Sequence, residues 1–106
     1  MAKPERIDSI LERLAARLGI TSRLEKEKAV ILWDEAVGEN IARRAAAVSM
    51  KGGSLFVVVE SSTWLQELAL MKEGIIEKIN SLLGKPLVED IVFRIGEPGK
   101  EKSNGG

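Results

Sequence analysis

Three adjacent hydroxyl residues are the first feature of this chain that could carry chemistry. Ser61, Ser62 and Thr63 follow an apolar run and precede a helical pattern. A serine or threonine nucleophile needs a neighbouring base to take its proton, and histidine, the usual base, is absent from all 106 residues. We therefore interpret these hydroxyls as helix caps, with Ser62 or Thr63 at the start of the helix, rather than as an active site.

The acidic residues offer no better catalytic set. Asp34 and Glu35 are adjacent, as are Glu89 and Asp90, and neighbouring side chains diverge on a helix or a strand. We therefore expect neither pair to converge on one metal ion or one substrate proton. The Lys-Gly-Gly run at 51–53 is too short for a phosphate-binding loop, and there is no cysteine. The sequence predicts a non-enzymatic protein without a metal site or a cofactor.

A small group of cations is the candidate nucleic-acid contact. Arg43, Arg44 and Lys51 are predicted near the ends of one strand and its hairpin, where they could contact backbone phosphates. The alternative is that they are solvated, and the overall balance of 16 basic and 16 acidic residues argues against a strongly basic nucleic-acid binder. Trp33 and Trp64 could stack on bases, but both lie on apolar stripes, which favours the core.

A large apolar residue on a polar helix face is the candidate protein contact. Leu70 lies on the side of its helix that also holds glutamates. Together with any exposed part of Phe56 or Val58, it could form a patch that binds a protein partner.

Hydrophobic periodicity predicts three long helices that would position these residues. Pro4 opens the first, whose apolar stripe continues to Gly19. A capping box at 22–25 opens the second, which ends or loosens at Gly38. The third follows the hydroxyl run and stops at Gly84, one residue before a Lys-Pro break.

Three strands complete the predicted fold. Residues 45–50 and 55–60 form a hairpin around the turn at 51–54, and residues 91–95 form the last strand. The second strand is apolar on both faces, which is typical of a central strand. The last strand can lie beside either hairpin strand, including in parallel. The sequence predicts an α+β two-layer sandwich, a three-stranded sheet with helices packed on one face, in the order α-α-β-β-α-β.

The domain limits and the compartment are also expectations from the sequence. We expect one domain at 1–96, followed by a disordered polar, glycine-rich tail at 97–106. The N-terminus is charged from Lys3 onward, which argues against a signal peptide. No apolar segment approaches the roughly 20 residues of a membrane span. We therefore predict a cytoplasmic protein.

Four blocks of the sequence form one pattern. The most specific block is Leu55-x-Val57-x-Val59-x-Ser61-Ser62-x-Trp64-x-Gln66-Glu67-Leu68. The others are Trp33-x-x-x-Val37-Gly38-x-x-Ile41-Ala42, Ile75-x-x-x-Ile79-Asn80-x-x-Leu83-Gly84 and Val88-x-x-Ile91-x-Phe93-Arg94. This pattern resembles the DciA-like family, and the match runs from the first predicted helix to Arg94.

The resemblance implies a domain similar to the K-homology (KH) fold. It also implies a part in bacterial DNA replication, in which family members contact the replicative helicase, help it load onto DNA and bind single-stranded or tailed DNA. Typical KH domains clamp nucleic acid with a Gly-x-x-Gly loop between two helices, and this sequence has no such loop. A DNA contact would use another surface, such as Arg43, Arg44 and Lys51. Many members also carry a basic extension, whereas residues 97–106 are nearly neutral.

Two functions remain open on the sequence. One is a replication accessory protein that binds single-stranded or tailed DNA, the replicative helicase, or both. The other is a protein-interaction module that has no direct contact with nucleic acid.

Overall fold

The computed structural model describes Leu14 and residues 23–99. Its elements are α1 (Arg23–Val37), α2 (Glu39–Ala42), β1 (Ala45–Lys51), β2 (Ser54–Val59), α3 (Ser62–Leu83) and β3 (Asp90–Ile95). The helix predicted at residues 4–19 lies outside the described residues, apart from Leu14, and so do residues 100–106. The expected limits of the domain and its tail therefore stay predictions.

The three strands form one mixed sheet in the order β1-β2-β3. β1 and β2 are antiparallel, joined by a turn in which Gly52 and Gly53 adopt φ values of 53° and 84°. β3 lies parallel to β2, because α3 returns the chain to the end of the sheet at which β2 begins. The predicted α+β class, element order and central position of β2 are confirmed, and the arrangement is compatible with a KH-like fold.

The core lies between the helices and one face of the sheet. Leu55, Val57 and Val59 of β2 face the helices and are fully buried, as is Trp33 of α1. The Trp33 indole Nε1 donates a hydrogen bond to the Ala45 carbonyl at 2.9 Å, which satisfies its one polar group inside the core. The expected core placement of Trp33 is confirmed, and α1 is fixed to the start of β1.

The opposite face of the sheet, which we call the outer face, carries the alternate residues. Phe56 pairs with Val92 and Val58 with Arg94, so the predicted facing of these residues is confirmed. Val58 is nevertheless fully buried. A Cβ added to Gly96 would lie 2.9 Å from a Val58 methyl group, so the backbone at Gly96 packs directly on this valine. Val58 therefore adds nothing to an exposed patch.

α3 begins one residue earlier than the hydroxyl run predicted. Ser61, not Ser62 or Thr63, is its N-cap, and the Ser61 hydroxyl accepts a hydrogen bond from the Trp64 N–H at 3.3 Å. A cap residue has extended backbone, and Ser61 is the last residue before the helix with that conformation, at φ −153° and ψ 161°. The C-terminal end is as predicted, with Gly84 in the left-handed region at φ 78°.

Candidate nucleic-acid and partner-binding surfaces

Arg43 and Arg44, the first two predicted cations, form the connection between α2 and β1. Arg43 is the C-cap of α2 and is exposed. The Arg44 guanidinium contacts the Glu60 carboxylate, with Nη1 and Oε1 2.7 Å apart, and its Cζ lies 5.5 Å from the centre of the Trp64 ring. Arg44 therefore links the end of the hairpin to α3 through Trp64, and the Glu60 N–H donates to the Arg44 carbonyl between the two hairpin strands. Much of its charge is already balanced within the fold.

The third predicted cation lies at the other end of the same strand. Lys51 is the last residue of β1 and is exposed. A strand rises about 3.3 Å per residue, so the seven steps from Arg44 to Lys51 separate their backbones by roughly 23 Å. The structure brings Arg43 and Arg44 together and leaves Lys51 apart. A ligand that touched all three would have to follow the length of β1.

Lys51 has a different neighbour on the outer face of the sheet. A shallow depression of about 110 Å³ is lined by Val48, Ser49, Lys51, Phe56 and Arg94. Arg94 was not among the predicted contacts, although strand alternation had already placed it on the same face as Phe56. The sequence did not specify the order of the strands. That order brings β3 close enough to β1 for Lys51 and Arg94 to line one depression.

The second tryptophan is also part of the packing. Trp64 is half-buried against the core, and the Arg44 guanidinium covers one side of its ring. Trp33 is fully buried and unavailable to a base, and Arg44 already occupies one side of the Trp64 ring.

The predicted partner contact lies on the solvent side of α3. Leu70 is 85% exposed, more than any other large apolar residue within the described ranges. Its helical neighbours at positions 66, 67, 73, 74 and 77 are exposed as well, and Glu67, Glu73 and Glu77 place carboxylates around it. Leu70 stands directly opposite the buried residues Leu68, Ile75 and Ile79, so it takes no part in the core.

A larger groove runs between α1 and β1, the strand at one edge of the described sheet. It has a volume of about 410 Å³, and Val30, Ile31, Val48 and Met50 give it an apolar base beside the Arg23–Glu27 ion pair. β1 is an edge strand that bulges between Ala47 and Ser49, and bulges of this kind interrupt the regular edge to which another strand could pair. Sequence periodicity gave no sign of this groove.

The carboxylate pairs have structural roles or face solvent. Asp90 accepts a hydrogen bond from the Lys72 ammonium at 3.0 Å, and the Glu89 side chain lies over Gly53 in the hairpin turn. Across Leu14 and residues 23–99, no group of three or more acidic side chains is placed to hold a metal ion. Among the helices described there, none is both long and apolar enough to cross a membrane.

Comparison with known proteins agrees with this architecture. The family model for "Dna[CI] antecedent, DciA" matches residues 6–93. The chain belongs to the DciA family. A UPF0232 protein of Mycobacterium tuberculosis is 26% identical over 88 residues, which cover 83% of this chain and 47% of the relative. A Rhodococcus jostii UPF0232 protein gives the same values, and one of Mycolicibacterium smegmatis is 26% identical over 102 residues, 96% of this chain and 52% of the relative.

The chain spans about half the length of the curated relatives it matches. The resemblance in the four sequence blocks is thereby confirmed as family membership. In chain order, the first block maps onto α1 and α2, the second onto β2 and the start of α3, and the third onto the second half of α3. The fourth covers β3 and the residues just before it, so the pattern follows the core of the sandwich rather than any one exposed surface.

Proposed function

We propose that this DciA-family chain is a non-enzymatic accessory protein of bacterial DNA replication that acts in the cytoplasm. In this proposal it contacts the replicative helicase and assists its loading onto DNA. Family membership over residues 6–93 supports the link to replication. The observation that carries the helicase contact is the exposure of Leu70, a large apolar side chain that the fold does not use.

The helicase surface is proposed to centre on Leu70. An apolar side chain that is 85% exposed gains stability only when a partner removes it from water. In many protein complexes a few residues near the centre of the interface carry most of the binding energy, and the contacts around them exclude water. The ring of glutamates around Leu70 would form the polar rim.

The DNA contact is proposed to use Arg43, Arg44 and Lys51 against the backbone of single-stranded or tailed DNA. Arg43 and Lys51 are exposed at the two ends of β1, which suits a single DNA strand that lies along this edge of the sheet. The pairing of Arg44 with Glu60 favours the second candidate, a module that binds protein but not nucleic acid. The depression beside Lys51 and Arg94 favours a DNA contact.

Co-purification from the native host, with and without nuclease treatment, separates these candidates. A direct helicase contact predicts that the helicase is recovered equally well in both samples. A complex held together only by DNA predicts that nuclease releases the helicase. Recovery of no helicase in either sample would overturn the proposed helicase contact.

Binding of purified components then assigns the surfaces. Leu70→Glu is expected to weaken helicase binding at least tenfold, whereas Leu24→Glu, which alters another exposed apolar residue, on α1 and outside the groove, serves as its matched control. The double change Arg43→Ala and Arg44→Ala is expected to weaken binding to tailed DNA and to leave helicase binding intact. If the wild-type domain binds no DNA even at low salt, the protein-only module is the correct function.

A further inference from the structure

The solvent side of α3 carries a continuous line of residues, which we call the outer stripe. The residues follow helical spacing and are all exposed. They are Gln66, Leu70, Gly74, Glu77 and Ser81, flanked by Glu67 and Glu73. Three features of this stripe are each unfavourable for the isolated domain, and they occur within two turns of the helix.

The first feature is Leu70, which is 85% exposed. The second is Gly74, one turn further along and well inside the 22-residue helix. Glycine is the least favourable residue in a helix interior apart from proline. It is tolerated where a backbone or side chain approaches closely, but a Cβ built at Gly74 meets no atom within 4 Å. Nothing in the described fold therefore requires a glycine here.

The third feature is the charge of the stripe. Glu73 and Glu77 are four residues apart on α3, where like charges repel and destabilise a helix. Neither they nor Glu67 forms an ion pair with another residue of the described ranges. The one lysine nearby on the flank is Lys78, since Lys72 reaches across to Asp90 on β3. The stripe is therefore an acidic surface around Leu70, with Met71, which is 42% exposed, on its flank.

A single external partner explains all three features. We infer that the outer stripe of α3 is the docking face for a basic amphipathic helix of the replicative helicase. Leu70 would insert between apolar side chains of that helix, the missing side chain at Gly74 would let the two helix backbones approach closely, and the glutamates would pair with its Lys and Arg residues. This inference rests on the proposed helicase contact and adds the chemistry of the partner surface.

The charge of the stripe selects this occupant over a second copy of the chain. A symmetric dimer through α3 would place the glutamates of one copy against those of the other, and like charges brought together across an interface are costly. DNA is excluded from the stripe by the same repulsion. A partner with a positively charged rim around an apolar pocket is the complementary surface.

The test compares stability and helicase affinity in the same variants, because the inference predicts that they change in opposite directions. Gly74→Ala is expected to raise the Tm of the domain by roughly 2–8 °C. It should also weaken binding to the purified host helicase roughly tenfold, since the added methyl group prevents the closest helix approach. Leu70→Ala should weaken binding roughly thirtyfold with little change in Tm.

Charge reversal supplies an independent arm. Replacing Glu73 and Glu77 together with lysine should relieve the repulsion within α3, so the Tm should not fall, yet helicase binding should be lost. Glu35→Lys, an exposed glutamate on α1, is the matched control and should leave affinity within twofold. A photo-cross-linker at Ser81 should attach to a helical segment of the helicase that is rich in Lys and Arg.

The possible results separate this inference from the proposed function. If wild-type protein does not bind the helicase, both are overturned. If it binds, and Gly74→Ala and the double charge reversal leave affinity unchanged, the helicase contact stands and the outer stripe is not its surface. Cross-links to an acidic or non-helical segment would also overturn the inference.

Discussion

Asn80 is the residue that fixes the end of α3 to the chain before β3. Its side-chain amide donates a hydrogen bond to the Val88 carbonyl and its Oδ1 accepts one from the Val88 N–H, both at 2.9 Å. Val88 itself is 2% exposed, so water cannot easily replace these bonds. One side chain thus satisfies two buried backbone groups, much as a neighbouring strand would.

We expect Asn80→Ala to lower the free energy of unfolding by about 1–3 kcal/mol, because both Val88 groups would be left without a partner. Urea denaturation of the two proteins measures the difference. Asn40→Ala, which changes an exposed asparagine in α2, is the control and should alter stability by less than about 0.5 kcal/mol. An equal effect of the two substitutions would show that the Asn80 bonds do not hold this loop.

Asp90 makes the stability of the domain depend slightly on pH in the acid range. The hydrogen bond from Lys72 and a second from the Ile91 N–H lower the pKa of the Asp90 carboxyl below the usual value for aspartate. A lowered pKa in the folded state means that the group stabilises the fold above its unfolded pKa of about 3.9 and loses that contribution as pH falls through the folded value. Because the carboxylate is 52% exposed, the contribution at neutral pH is at most about 1 kcal/mol.

Asp90→Asn is therefore expected to destabilise the domain slightly at pH 7 and by less at pH 2.5. Urea midpoints at both pH values give the comparison, with Glu35→Gln on the exposed side of α1 as a control for the loss of one carboxylate. If the difference between wild type and Asp90→Asn were the same at the two pH values, the Lys72–Asp90 contact would not be the source of the effect.

The sequence predicts the position of a residue correctly where several local features, such as helical periodicity and apolar character, agree. Trp33 was placed correctly because helical periodicity and apolar character point the same way. The cap of α3 was misplaced by one residue, since Ser61, Ser62 and Thr63 all have suitable side chains and only the backbone conformation distinguishes them. The burial of Val58 depends on Gly96, 38 positions later in the chain, and no local pattern reports such a contact.

The two glycines of α3 differ in what the helix requires of them. Gly84 ends the helix with φ 78°, a conformation that costs an L-residue about 1–2 kcal/mol. Its N–H donates to the Asn80 carbonyl at 2.8 Å, which closes the last turn. Gly74 has no such conformation or contact.

Gly84→Ala is therefore expected to destabilise the domain by about 1 kcal/mol, whereas Gly74→Ala should stabilise it by about 0.4–1 kcal/mol. The same substitution in the same helix thus has opposite signs, and thermal unfolding of the two variants measures both. Destabilisation by Gly74→Ala would mean that the glycine has a structural role inside the domain.

The strands show where sequence reasoning reaches its limit at the level of elements. β2 could be identified as central because both of its faces are apolar, and it is paired on both sides. The position of β3 could not be chosen, because a strand that follows a helix can return to either edge of a hairpin. The bulge in β1 comes from the paired register between Ala47 and Ser49, which the alanine-rich sequence does not specify.

A net charge of zero conceals an uneven distribution of charge over the whole molecule. The glutamates of the outer stripe lie on the helical layer, whereas Lys51 and Arg94 line a depression on the outer face of the sheet. Composition predicted weak DNA binding but could not locate either surface, because position on a face depends on the fold. In the proposed function the helicase and DNA therefore occupy different sides of the domain and need not compete.

The number of cations proposed to contact DNA predicts how steeply DNA binding weakens with salt. Each phosphate contact on single-stranded DNA contributes about −0.7 to the slope of log K against log salt concentration, so the contacts proposed for Arg43, Arg44 and Lys51 give a slope no steeper than about −2. Arg43→Ala should reduce the steepness by about 0.7, while Lys28→Ala, which removes an exposed cation on α1, should leave it unchanged. Fluorescence anisotropy titrations between about 50 and about 200 mM salt measure the slopes. A wild-type slope steeper than about −4 would mean that cations elsewhere in the chain carry the binding, whereas equal effects of the two substitutions would indicate a diffuse attraction rather than a contact at Arg43.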